Sequence, residues 1–396
     1  MAMCRVRRAL VTAITVGVIA AGVAQARNRF MPLGGGPRFG SDIASVSFGT
    51  PFKYNSNYPS KYINADGYFN TWADDGNIYA NGNDSSGWQG ASDSNLSVNL
   101  LSGFTTSLTG SLVNAMAPWG VVGQIGSDGD NYKTSGLISV HGTLILSAVR
   151  VHYPNSGNGW QQPTLSAQLM KSTDHGVTWS PQPPSTAQPY ASPMFGATFG
   201  SPTFVQYGQD YIGQSQDLSN LYVYAVSSNA NWSNAGALYL GRCLIANIAN
   251  LSGSDWSFYQ GGDGTMNANW GAIGSAAAII TNAGKISNTA IQYLPAFGRY
   301  IAIEWFYPSV NAVPPTLDTS TTEWDVWQAP HPWGPWSELS TTTTWNPLGL
   351  YIAAIISKSV SVDGGRTLMI ATTGDYNMQN PGTGDYTLIL VPATLN

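Results

Sequence analysis

Five turn-forming clusters punctuate the chain, and their spacing constrains the fold more than any single motif. Asp74-Asp75-Gly76 lies between Tyr68-Phe69-Asn70-Thr71-Trp72 and Asn77-Ile78-Tyr79-Ala80. His141-Gly142 lies between Gly136-Leu137-Ile138-Ser139-Val140 and Thr143-Leu144-Ile145-Leu146-Ser147. Tyr207-Gly208-Gln209-Asp210, Ala296-Phe297-Gly298 and Asp363-Gly364-Gly365 follow. β-branched and aromatic runs on either side of a short turn read as hairpins. Centred on 75, 141, 208, 297 and 363, the turns are separated by 66, 67, 89 and 66 residues. That pattern predicts five related units with an insertion in the third interval. Each unit has room for a four-stranded antiparallel sheet, and five such sheets set radially make an all-β, five-bladed β-propeller. Two β-sandwiches are the alternative, but nothing between the units resembles a linker.

Composition agrees. With 44 Gly and 23 Pro in 396 residues, and only three Glu and six Lys, long surface helices are not expected. The apolar share of 43% suffices for a large core, so a charged fraction of 9% does not signal disorder. A net charge of −5 argues against a nucleic-acid partner.

Residues 1–26 read as a secretory signal. Arg5, Arg7 and Arg8 precede the apolar run Ala9–Val23, and Ala24-Gln25-Ala26 offers the small-x-small pattern of a cleavage site. The run is shorter than the roughly 20 residues a membrane-spanning helix needs. The expectation is a secreted protein, extracellular or periplasmic, with one domain over 27–396, no membrane insertion after cleavage and a monomeric state. Cys4 would leave with the signal. Cys243, in Leu240-Gly241-Arg242-Cys243-Leu244-Ile245, is then alone and reads as a buried strand position.

Ser172-Thr173-Asp174-His175-Gly176-Val177-Thr178-Trp179 has the S-x-D-x-G-x-T-W pattern of an Asp-box, found in sialidase-like propellers. In such a turn the Asp accepts backbone N–H bonds and Gly supplies positive φ. Ser361-Val362-Asp363-Gly364-Gly365-Arg366-Thr367-Leu368 is a degenerate copy without the Trp. Boxes of this kind stabilise turns away from the substrate, so Asp174 and Asp363 receive no catalytic role.

Hairpin topology sorts the remaining acids. Across the first turn, residues whose numbers sum to about 151 oppose each other, which sets Asp66 against Asp84 at the open end and leaves Asp74 and Asp75 at the far side. Counting outward in the other units brings Arg150, His152, Asp217, Glu304, Trp305, Thr373 and Asp375 to comparable heights. Loops leading into the first strands add Asp128-Gly129-Asp130-Asn131-Tyr132 and Asp263 to Trp270, including Asn269. The expected result is a shallow acidic pocket with aromatic walls. Carboxylates can act as acid and base or nucleophile at an anomeric centre, while Trp and Tyr stack on sugar C–H faces. Each residue also has a plainer reading. Asp66 as a strand cap, Asp84 as a turn closer, Glu304 as the buried partner of Arg150, and Trp324, Trp327, Trp333 and Trp336 as inter-blade packing are all consistent with their contexts. A G-x-S-x-G elbow, paired His/Cys zinc spacing and a phosphate-binding loop are absent from the sequence. No cofactor is expected; Asp128-Gly129-Asp130-Asn131 is the one loop of a composition suited to calcium.

The stretch from Asn64-Ala65-Asp66-Gly67-Tyr68 through Asp75-Gly76-Asn77-Ile78-Tyr79, continued by Gly82-Asn83-Asp84, resembles the opening blade of a secreted propeller family long described as a domain of unknown function. Ala329-Pro330-His331-Pro332-Trp333-Gly334-Pro335-Trp336 and Lys358 to Leu368 are similar to later parts of the same family, in order. The family includes five-bladed glycoside hydrolases that cleave D-arabinan with aspartates of the first blade. The resemblance implies that those roles fall on Asp66 and Asp84, although Gly82-Asn83-Asp84 departs from the family's Gly-Asp. The functional expectation is a glycoside hydrolase cleaving a polysaccharide such as arabinan by a two-carboxylate mechanism. The alternatives are a carbohydrate-binding, lectin-like propeller and a sialidase-like enzyme, the last disfavoured by the dispersal of the seven Arg that follow the signal.

Overall fold

The computed structural model describes residues 41–54, 63–153, 162–212, 221–262, 267–313, 315–375 and 386–396. The proposed signal, Asp217 and Asp263 lie outside these residues. Strands and short 3-10 helices make up the regular structure, and among the described residues no helix is long and apolar enough to cross a membrane.

The fold is a β-propeller. Its strands form antiparallel meanders that follow one another along the chain. The first is Asn70–Trp72, Ile78–Ser85, Ser94–Ser102 and Thr109–Asn114; the second is Asn131–Val140, Thr143–Val151, Thr164–Ser172 and Phe195–Gly196. The third runs Thr203–Gln206, Tyr222–Ser228, Ala235–Leu244 and Trp256–Tyr259, and the fourth Ala290–Leu294, Arg299–Phe306, Glu323–Ala329 and Ser337–Thr344. The fifth is Tyr351–Ile355, Thr367–Thr373 and Leu388–Leu395. Its outer edge is completed from the other end of the chain, because Val46–Phe48 and Phe52–Lys53 both pair with Leu388–Leu395. Pairing of the N-terminal and C-terminal strands closes the ring, leaving no long open edge there.

The leading strands of all five meanders face a common axial cavity, lined by Asn70, Leu137, Phe204, Ile291 and Ala354 among others. The leading strands of the third and fourth meanders pair in parallel, Val205 with Ile291 and Gln206 with Gln292. Elsewhere, side-chain amides and hydroxyls add bonds from one meander to the next. Asn70 Nδ2 donates to Ile355 O at 3.1 Å and Gln206 Nε2 to Leu137 O at 2.8 Å. Buried backbone carbonyls need such partners where strands splay too far apart for a ladder. Gly136 marks a close approach, since a Cβ there would sit 2.7 Å from Pro202 O.

Two expectations need correction. The leading strand Thr203–Gln206 pairs with a strand that begins only at Tyr222, so Tyr207-Gly208-Gln209-Asp210 opens a long connection rather than a tight hairpin. The third meander also exceeds four strands: Trp270–Gly271 extends its edge beyond Trp256–Tyr259, and Ala278–Ile286 pairs with Ala235–Leu244. These additions account for the long interval between the third and fourth turns.

The turn at residues 172–179 folds as its chemistry requires. Asp174 accepts bonds from Thr178 N at 2.9 Å, Thr178 Oγ1 at 2.6 Å and Ser172 Oγ at 2.7 Å, while Gly176 has φ +89°. The Thr178 hydroxyl and amide hold the Asp174 carboxyl down to about 2. Asp363 accepts from Thr367 N and Thr367 Oγ1 at the same spacing along the chain. His175, within the 172–179 turn, bonds to Asp74 Oδ1 at 2.9 Å, so this turn shares a face with the tight end of the first hairpin. Cys243 is buried, as its strand context implied, and burial pushes its thiol up to about 12.

Candidate active site

The site forms at the open end of the first hairpin, where the register changes. Near the turn Asn70 pairs with Ala80 and Thr71 with Tyr79, but beyond Asn70 the bridge is Asp66 with Asn83. The expected direct opposition of Asp66 and Asp84 is therefore corrected by one residue. Gly67 accommodates the slip at φ +70°, packed so closely that a Cβ would fall 2.5 Å from Ile352 Cγ2. Thr373, on the second strand of the fifth meander, holds the turn from outside: its hydroxyl donates to Ala65 O at 2.8 Å and accepts from Gly67 N at 2.9 Å.

Both carboxylates reach one ammonium. Lys133 Nζ, from the leading strand of the second meander, contacts Asp84 Oδ2 and lies 3.6 Å from Asp66 Oδ2. The lysine side chain is 1% exposed, against 19% and 28% for the Asp66 and Asp84 side chains. The cation is therefore sealed beneath a carboxylate surface that solvent can reach. Tyr351, which opens the fifth meander, donates its hydroxyl to Asp66 Oδ1. Tyr386 donates to Asp84 O at 3.2 Å and also hydrogen-bonds the Asp66 carboxyl. Two ends of the ring, the second and fifth meanders, thus converge on the hairpin of the first.

Burial raises the Asp66 carboxyl above the usual range; Lys133 works against this, the Asp84 charge adds to it, and the Tyr351 and Tyr386 hydroxyls oppose it. Burial also works to discharge Lys133, but Asp84, Tyr153 and Asp66 outweigh it and hold the ammonium above its ordinary value. Asp84 Oδ1 is buried and has no hydrogen-bond partner in the protein.

Other expected site residues have different surroundings. Arg150 is the clamp of its own loop rather than the partner of Glu304: it contacts both oxygens of Asp128, donates to Ala187 O at 3.2 Å and Asp130 O at 2.6 Å, and stacks over Tyr132. His152 bonds through Nδ1 to Asp130 Oδ1 at 2.6 Å. Both acids of the loop considered for calcium are thereby engaged by side chains. Glu304 is fully buried, bonded to Thr289 Oγ1 at 2.6 Å and Ser287 N at 3.4 Å, and burial pushes its carboxyl up to about 8. Trp305 is buried too, and its ring packs 5.6 Å from that of Tyr351, behind Asp66 rather than open to a ligand. Asp375 accepts from the Thr319 hydroxyl. Asn269 is exposed beside Trp270, which packs against Tyr224, Tyr259, Trp333 and the Arg242 guanidinium on the edge of the third meander. The 267–270 stretch therefore does not lead directly into the fourth meander, contrary to the expectation from the sequence. The Trp324 indole is fully buried, with Nε1 donating to Leu350 O at 2.8 Å, consistent with packing between meanders.

Sequence reasoning missed Lys133, Tyr351 and Tyr386. Asn131–Val140 is buried along its whole length, so its lysine needs an anionic partner, but the mixed polar sequence of the strand does not announce that burial.

No family model matches this chain, and neither does any curated protein. Solved structures do match. A provisionally assigned hydrolase from Bacteroides ovatus aligns at 15% identity with a TM-score of 0.52, over 88% of this chain and 93% of its own. The catalytic domain of a Coprinopsis cinerea GH62 α-L-arabinofuranosidase gives 10% identity, a TM-score of 0.44, and 89% and 97% coverage. An endo-arabinase from Bacteroides thetaiotaomicron gives 12%, 0.43, and 84% and 94%. At these identities the likeness is one of fold.

Proposed function

We propose that this protein is a glycoside hydrolase that cleaves a polysaccharide of uncharged sugars, with Asp66 and Asp84 as its carboxylate pair. The observation that carries the reading is the pair itself: two partly exposed carboxylates at the open end of a hairpin, sharing one buried ammonium. In such a reaction one carboxyl gives its proton to the glycosidic oxygen as the bond to the anomeric carbon breaks. The other carboxylate bonds to that carbon, or takes a proton from the water that does. Water finally supplies the hydroxyl left on the anomeric carbon and the proton that restores the acid.

Uncharged sugars are favoured because the described arginines are engaged elsewhere. Arg150 binds Asp128, Arg299 binds Asp42, Arg242 lies between the Tyr222 and Trp270 rings, and Arg366 covers Phe297. A sialidase-like reading would need such cations free for the substrate carboxylate. Arabinan is the first substrate to test, on the strength of the opening-blade resemblance. The reading includes export directed by residues 1–26, action as a monomer and no cofactor.

A glycan-release screen over arabinan, galactan and sialylated substrates tests it with wild type, Asp66→Asn and Asp84→Asn. Turnover should fall on the order of 10³-fold in each variant while sugar affinity persists. Binding without release by the wild type would favour a lectin-like propeller instead.

A further inference from the structure

We propose that Lys133 is a positioning residue that divides the labour of the carboxylate pair, holding Asp84 as the anion and leaving Asp66 as the proton donor, and that Asn83 is what keeps Lys133 in place. The inference rests on the hydrolase reading of the same site. Its starting point is an asymmetry. The ammonium touches Asp84 Oδ2 but stands 3.6 Å from Asp66 Oδ2, and Asp66 instead takes hydroxyl donors from Tyr351 and Tyr386. Two carboxyls this close cannot both ionise readily without a cation between them. A cation nearer one of them selects which gives up its proton. Lys133 is 1% exposed, and its ammonium faces Asp84, Asp66 and the Tyr153 ring, so it acts on these groups rather than on substrate.

Asn83 supplies the geometry. It pairs through its backbone with Asp66 and is the chain neighbour of Asp84. Its side-chain amide grips the residue that follows Lys133: Oδ1 accepts from Thr134 N at 2.6 Å and Nδ2 donates to Thr134 O at 2.9 Å. Asn81 Nδ2 adds a bond to Thr134 Oγ1 at 3.0 Å. The first and second meanders are thus locked in register at the level of the acids. Burial raises the Asp66 carboxyl, as a proton donor requires. The Asn that interrupts the family's Gly-Asp thereby acquires a function.

The test uses Lys133→Met, Lys133→Arg and Asn83→Ala in the full chain, with pH-rate profiles on the released glycan and carbon-13 carboxyl titration by NMR. Removing the ammonium should move the acidic limb of the profile up by about one unit or more and lower kcat on the order of 10²-fold, with KM changed little. Lys133→Arg should keep the wild-type limb. Should Lys133→Met fail to fold, Asn83→Ala carries the same test in milder form, with a smaller shift in the same direction. Unchanged limbs and unchanged carboxyl titration in both variants would overturn the proposal while leaving hydrolysis intact. Absence of any released glycan from the wild type defeats the hydrolase reading instead, and the carboxyl titrations then still decide whether Lys133 governs the pair.

Discussion

The first hairpin carries four aspartates, two at each end, and its ends treat them in opposite ways. At the tight turn Asp75 is served by its chain neighbours: Asn77 N and Asn77 Nδ2 each donate at 2.9 Å, and the Tyr79 hydroxyl donates at 2.8 Å. Against the upward pull of partial burial, these donors hold Asp75 below the usual carboxylate range. Asp74 is exposed and bonds His175. At the open end Asp66 and Asp84 meet groups distant in sequence, a lysine from the second meander and tyrosines from the fifth. Local donors satisfy Asp75, while Asp74, whose partner His175 is distant in sequence, stays exposed to solvent. Burial against a shared cation leaves one carboxyl raised and within reach of solvent, the state a proton donor needs.

The comparison breaks most visibly in turnover. Asp66→Asn and Asp84→Asn should each lose on the order of 10³-fold, whereas Asp74→Asn and Asp75→Asn, assayed alongside on the same glycan, should stay within about threefold of wild type. A deep loss in Asp75→Asn would mean that the two ends do not differ in the way described. The next effect isolates burial. Glu304 is buried like Lys133 but has only neutral donors, and its carboxyl is pushed up to about 8 from 4.5. A folded-state value above the unfolded one means that the stabilising contribution is complete below pH 4.5 and is lost as pH rises toward 8. Stability should therefore fall across that window by as much as about 1.4 kcal/mol per pH unit. Glu304→Gln should flatten the slope in denaturant melts taken at several pH values. A wild-type slope that survives the substitution would assign it to another group.

What the sequence disclosed divides along the same line. Turn chemistry is local, so the hairpin at Asp74-Asp75-Gly76, the turn at Asp174 and the grouping of Asp66 with Asp84 were legible from residue spacing. Lys133 was not, because it lies far along the chain from Asp84 and only the ring sets its strand beside the first hairpin. The slip at Gly67 was hidden for another reason: an alternating pattern specifies which face a residue takes but not where a bulge adds a residue. The extra strands of the third meander were visible only as a long interval. Glu304 was misread because an acid in an apolar run was expected to have a cationic partner, and two neutral donors with a raised carboxyl serve instead.

Smaller effects sharpen the contrast. Tyr351→Phe removes a hydroxyl that favours the Asp66 anion, so the basic limb of the pH-rate profile should move upward and kcat should fall about tenfold. An unmoved limb would mean that Asp66 is not the group titrating there.

The smallest effect belongs to the turn at Asp174, the purest case of local satisfaction. Asp174 is exposed and takes three donors from Ser172 and Thr178, so solvent screening limits what those bonds contribute. Asp174→Ala should lower the thermal midpoint by about 2–4 °C at pH 7 and leave kcat unchanged. The Asp174 carboxyl is held down to about 2 from 3.8, so its contribution is present above pH 3.8 and is lost as pH falls through 2. Wild type and Asp174→Ala should therefore converge in thermal melts over that acidic window. If they remain apart at pH 2, the turn is held by its Gly176 geometry and the buried Trp179 rather than by the carboxylate, and the tight ends of these hairpins owe less to their acids than the comparison claims.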